Sequence, residues 1–286
     1  MRGHAGDRTA ALAYNAPALL YLAALFAAPM AVVAIYSFIA QAPDAGAAGR
    51  LTLDNYVRAL DPLYLSVLGH SVALALATTV ITLCIAYPCA LAMRSLPPRR
   101  RAIALALIVI PSWMNLLVKN YAWIVILRRE GVLNTLLTRT GVLDAPLTLL
   151  FNDGAVLLGL VHTALPFMIL PLYAAVDRMD WSLVEAARDL GAGRLATFRA
   201  IVLPQTRAGA LVGTVLVFIP TLGAFVTPDL LGGTRSLMVA NLIENQVLQV
   251  RDWPFAAALS MFLIALVLLG VYLLRRATRD TGTALA

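Results

Sequence analysis

Glu185-Ala186-Ala187-Arg188-Asp189-Leu190-Gly191, followed after nine residues by Ile201-Val202-Leu203-Pro204, is a charged, helix-forming stretch between two long apolar ones. Asp180 or Ser182 can cap its start, and Ser182 to Glu185 has the Ser-x-x-Glu spacing of a capping box. Leu183, Val184, Ala187 and Leu190 recur at helical spacing and give the helix an apolar stripe. Gly191 stands where a helix end favours a residue that takes positive φ, so a sharp turn is expected there. A second short helix, about Arg194 to Val202, is expected to end before Pro204, which then starts the next apolar stretch. The predicted unit is helix, glycine elbow, helix.

Working outward, the chain is 61% hydrophobic and only 13% charged over 286 residues, too apolar for a water-soluble domain. Six stretches reach the roughly 20 residues that cross about 30 Å of hydrocarbon as helix. They lie near Pro17–Ala40, His70–Met93, Ala102–Leu127, Gly154–Val176, Ala208–Thr227 and Phe255–Leu274. Helices are required because isolated strands leave backbone groups unpaired in lipid. The fold class is therefore all-α, a polytopic membrane protein with six transmembrane helices in a single domain, 1–286.

Basic residues set the expected orientation. The loops on the Glu185 side, with the two chain ends, hold fourteen arginines, against eight Lys and Arg on the other side with Lys119 included. Both termini and the Glu185–Pro204 patch are thus expected in the cytoplasm. The first apolar stretch is longer than a signal-peptide core and reads as a retained span. The net charge of +7 reflects this topology, and no nucleic-acid partner is expected. Cys84 and Cys89, five apart on one predicted helix, are poorly placed for a mutual disulfide and read as small buried residues.

Between the spans, Ser95-Leu96-Pro97-Pro98-Arg99-Arg100-Arg101 is a short basic loop. Three segments lie on the outer side: Ala42–Pro62 with a short helix near Leu53–Leu60, Arg128–Asp153 with a surface helix at Val132–Thr138, and Asp229–Pro254. The last opens with Leu231-Gly232-Gly233-Thr234 and turns helical from about Leu237 to Val250.

Catalysis has little to work with. His4, His70 and His162 are scattered, and neither a His-Glu-x-x-His zinc motif nor a phosphate-binding Gly-x-x-x-x-Gly-Lys loop occurs. No cofactor or metal is expected. The predicted spans contain no Asp or Glu, whereas proton-driven carriers usually need such acids. A passive pathway driven by a separate motor fits these facts better than a lone secondary carrier or a membrane enzyme.

The spacing of Glu185-Ala186-Ala187, Gly191, Ile201, Leu203 and Pro204 resembles the cytoplasmic signature of type I ABC-importer permeases. That resemblance implies a coupling helix docked in a cleft of a cytoplasmic ATPase. Glu185 would face the ATPase, Ala186 and Ala187 would permit close approach, and Gly191 would form the elbow. Ile201, Leu203 and Pro204 would pin the second short helix against the fifth span. Pro111-Ser112-Trp113-Met114-Asn115 through Trp123, Arg129-Glu130-Gly131, Pro228-Asp229-Leu230-Leu231-Gly232-Gly233 and Arg251-Asp252-Trp253-Pro254 are similar to the first permease subunit of spermidine/putrescine-type importers. Lys119 departs mildly from that family, where arginine is usual nearby, and permeases for opines and other small solutes share these longer segments. The resemblance implies a bacterial inner-membrane location. The implied partners are ABC ATPase subunits, a second permease, a solute-binding protein, a small-molecule solute and membrane lipid.

Polar residues within the spans are the candidates for the pathway. Ser112, Asn115 and Lys119 fall at i, i+3 and i+7, one face of a continuous helix. Such a stripe faces protein or a water-filled cavity, although a late-span lysine also snorkels readily to headgroups. Thr214 and Thr221 share a face of the fifth span, near Gly223 and a possible gate at Phe225. Asn241, Glu244, Asn245 and Gln249 form a polar face on the last outer helix, suited to a vestibule or to an ordinary surface helix.

Overall fold

The computed structural model describes residues 4–41, 50–233 and 236–279. The extreme termini, 42–49 in the first outer segment, and Thr234 and Arg235 lie outside them. Among the described residues, regular structure is helical apart from one antiparallel bridge between Ile39 and Leu51.

Five helices are long and apolar enough to cross a bilayer, at Asn15–Ser37, Pro62–Arg94, Asp153–Asp177, Arg194–Leu222 and Trp253–Tyr272. They belong to α1 (His4–Ser37), α3 (Pro62–Arg94), α7 (Asp153–Asp177), α10 (Leu203–Leu222) with the turns before it, and α13 (Trp253–Arg279). The sixth expected span is broken, not straight. The helical run Pro98–Trp113, which begins with α4 (Pro98–Val109), meets Leu116–Arg139, which begins with α5 (Leu116–Leu127), at 96°. Pro111 has no N–H to give Leu107, so the helix tightens there. Met114 then turns extended at ψ 144°, and the Asn115 side chain accepts from Leu117 N at 2.8 Å to start α5. The outer helices are α2 (Asp54–Ala59), α6 (Val132–Arg139) and α12 (Val239–Asn245), the last extended by a π-helical turn, Gln246–Val250. All three lie where the sequence predicts helix.

The chain divides into two compact units. The first comprises Met1–Tyr64 and Ile243–Gly270. In it the Asn55 amide donates to the carbonyls of Ser37 and Ile39, at 3.0 and 2.9 Å. Buried Asp252 caps Phe255 N and pairs with Arg58 at 2.7 Å, whose guanidinium lies 3.9 Å from the Phe255 ring centroid. Burial opposes the Arg58 charge, but its bonds to Asp252 and Tyr64 outweigh this and raise its pKa.

The second unit, Leu65–Leu242 with Val271–Ala286, is built around α7. Small residues let α10 approach closely: a Cβ on Gly209 would lie 2.5 Å from Ala175 Cβ and 2.6 Å from the Pro171 carbonyl. Ala86, Ala90, Met168, Leu172 and Val217 form the main core with these helices. A second cluster packs Leu74, Val156, Leu160 and Leu231. Leu231 belongs to α11 (Val226–Gly232), a short helix absent from the sequence reading. The expected fifth span continued to Thr227, but α10 stops at Leu222 with Gly223 as its cap.

Candidate functional site

The elbow is built by α8 (Ser182–Asp189), Gly191, and α9 (Arg194–Thr197). Asp180 starts it: its Oδ1 accepts from Ser182 N at 3.0 Å and from Ser182 Oγ at 2.7 Å. The expected Ser182–Glu185 capping box does not form, because the Ser182 hydroxyl is engaged by Asp180 and Trp181 occupies the N-cap. Glu185 is exposed, and among the described residues its carboxylate has no partner. At the other end Gly191 has φ +80°. Gly191 N donates to Arg188 O and Ala192 N to Ala187 O, both at 2.9 Å, the paired closure of a Schellman turn.

Burial divides the expected apolar stripe. Val184 is buried with Met179 and Val202, against Trp181, Phe198 and Ile201. Leu183 and Leu190 point outward, Leu190 being 89% exposed. One face thus anchors the helix, while Leu183, Glu185, Ala186 and Leu190 are exposed. The second helix does not end before Pro204 as expected. It runs from Arg194 through a π-helical turn, Phe198–Val202, straight into α10. Leu203 N bonds Phe198 O, a wider register that lets Pro204 enter the first turn of α10 without a helical N–H. Ile201 is half-buried on the Val184 cluster, whereas Leu203 and Pro204 are exposed.

Electrostatics tie this elbow to the basic loop. Asp177, ending α7, faces Arg94 at 3.7 Å and Arg101 at 3.3 Å. Arg94 also lies over the Trp181 ring at 5.6 Å, and Trp181 Nε1 donates to Val176 O at 3.2 Å. A cavity of about 620 Å³ opens behind α8, lined among others by Arg94, Trp181, Glu185, Arg188 and Arg194. The sequence reading missed Asp177, Trp181 and Arg101 as supports, although Asp177 and Trp181 flank the patch closely.

The pathway candidates are only partly brought together. Ser112, Asn115 and Lys119 do not share a helix face, because the helix breaks between Trp113 and Leu116. Asn115 is spent as a cap, while Ser112 and Lys119 line a cavity of about 200 Å³ with His162. Thr221, Gly223 and Phe225 line another, of about 380 Å³. Asn241 is buried and donates to the Phe225 carbonyl at 2.8 Å, so it is not an exposed vestibule residue. Glu244 is half-buried, in the first unit. Two polar ties went unread. Asn120, 1% exposed, donates to Thr227 Oγ1 at 3.2 Å and fastens α5 to α11. Asp153 accepts from Ser236 and stands 3.3 Å from His70. A buried amide beside Lys119 was the available signal for the first; nothing local marks the second.

An elbow of this form, between two spans, is joined by a direct match. Residues 83–279 match the model of the binding-protein-dependent transport system inner membrane component family. The chain belongs to that family. It is a multi-pass inner-membrane permease subunit of an ABC importer, a transport component and not an enzyme. Relatives of this permease include the spermidine/putrescine transport system permease protein PotB of Escherichia coli, 43% identical over 80% of this chain and 83% of that one. The PotB of Haemophilus influenzae is 40% identical over 88% of each chain. Among solved structures, the permease resembles a chain of a bacterial ABC transporter that imports the acidic polysaccharide alginate. The TM-score is 0.70 at 16% identity, covering 95% of this chain and 96% of that one. A second alginate transporter structure, in complex with a pentasaccharide-bound periplasmic protein, gives 0.75. At that identity the likeness bears on the fold alone.

Proposed function

We propose that this permease forms half of the translocation pathway of a polyamine importer and couples it to ATP hydrolysis through the Glu185–Pro204 elbow. The observation that carries the solute class is 43% identity to a spermidine/putrescine permease across four-fifths of the chain. In this reading a second, related permease completes the pathway, two ATPase subunits lie below, and a soluble binding protein delivers solute. The elbow and both chain ends face the cytoplasm, as the arginine distribution favours. Glu185, Ala186 and Ala187 meet the ATPase, Gly191 sets the elbow, and Ile201 joins it to the Val184 cluster. Because Arg194–Leu222 is one helical run, rotation of the docked elbow is transmitted along α10 to Thr221, near its end. Ser112, Asn115, Lys119 and Asn241 belong to the walls of the pathway or their supports.

The test uses the complete transporter in proteoliposomes. Glu185→Lys is expected to leave insertion intact and to lower ATP-driven spermidine uptake by roughly tenfold or more, the effect of about 1.4 kcal/mol of lost docking energy. Uptake at the wild-type rate would remove Glu185 from the coupling interface. Failure of the wild-type complex to take up spermidine or putrescine, with ATPase activity intact, would overturn the solute class.

A further inference from the structure

The break between α4 and α5 leaves a cavity of about 200 Å³ whose lining includes Ser112, Lys119, His162 and Thr163 among apolar side chains. Lys119 is half-buried there, and among the described residues its ammonium has no hydrogen-bond or ion-pair partner. No carboxylate lines the cavity. An ionisable group within a membrane span generally has a partner, since leaving it alone costs several kcal/mol or about that order. Three features give the cavity one sign. Lys119 is cationic. His162, which lines the same cavity, offers a ring donor. Lys119 also sits in the first turns of α5, where unpaired backbone N–H groups add positive potential and disfavour a lone cation.

We propose that this cavity binds a small oxyanion, a carboxylate or phosphate, held by Lys119 and His162. Its volume admits such a headgroup, and its positive sign, not its size, disfavours a polyamine. A polyamine carries no anionic group, so under the polyamine reading the occupant is a lipid phosphate and not cargo. If the cargo instead bears a carboxylate, the same pair would help select it. The two sources share one chemistry and are separable.

Lys119 is the only lysine in the chain, which makes it uniquely addressable. Reductive methylation with ¹³C-formaldehyde preserves its charge and labels one side chain beside the terminal amine. The full chain would be held in dodecyl maltoside, which carries no phosphate, and titrated with acetate or inorganic phosphate, with chloride at matched ionic strength as control. Lys119→Met assigns the signal by its loss. A saturable shift with acetate or phosphate, absent with chloride, supports a site open to soluble anions. A shift on adding phosphatidylglycerol, which then blocks the soluble anions, identifies the lipid phosphate. His162→Leu is expected to raise the half-saturating concentration severalfold in either case. No shift in any arm, or an equal shift with chloride, overturns the site.

Discussion

Gly191 shows how much of the elbow rests on one backbone angle. Its φ of +80° is open to glycine and tolerable to asparagine, but a β-branched side chain there costs about 1–2 kcal/mol. A Cβ would meet nothing within 4 Å, so the cost is conformational and not steric against neighbours. Gly191→Asn is therefore expected to retain ATP-coupled uptake, whereas Gly191→Val loses much of it and weakens amide-exchange protection at Ala192. Equal behaviour of the two would show that the left-handed turn is dispensable. Glu185 and Leu190 were legible as residues of a short helix that ends at a glycine. That Leu190 is bare while Val184 is buried was not, because helical spacing cannot say which of two apolar edges meets the rest of the protein.

Contact between α7 and α10 depends on residues without side chains. Gly209 faces backbone and an alanine methyl, neither able to yield, while a Cβ on Gly213 would lie 2.6 Å from the Met168 sulfur. Methionine is flexible and can move aside. Gly209→Ala is expected to cost about 1–3 kcal/mol by overpacking, and Gly213→Ala clearly less. Thermal unfolding of the purified chain in detergent ranks them, and the reverse order would contradict the packing described. The broken third span teaches the same point. Pro111 and Asn115 are both visible in the sequence as a helix interruption and a cap, yet apolar length alone favours a straight span. In a membrane such a break persists only where protein or a lined cavity satisfies the freed backbone groups.

For the molecule as a whole, the orientation has a direct check. In a chain with Cys84 and Cys89 replaced by alanine, Glu185→Cys is expected to react with an impermeant maleimide in inverted vesicles and not in intact spheroplasts. Val132→Cys, on exposed α6, should behave oppositely. The reverse pattern would turn the topology over. Class, span number and the elbow were all readable from the chain, because hydrocarbon thickness, backbone pairing in lipid and glycine's φ freedom act on local sequence. Three features lay outside the apolar pattern, and tertiary contact decided the first. The Gly159–Thr227 approach and the Asn120 bond hold α11 as a separate helix where the sequence suggested more of the fifth span. The wide turn at Phe198–Val202 merges two expected helices into one. The 96° bend separates Asn115 from Lys119. The first depends on partners distant in the chain, whose packing local periodicity does not encode; the other two begin at local breakers, Pro204 and the Pro111–Asn115 cap, whose outcome as a merged helix or a bend apolar length does not specify.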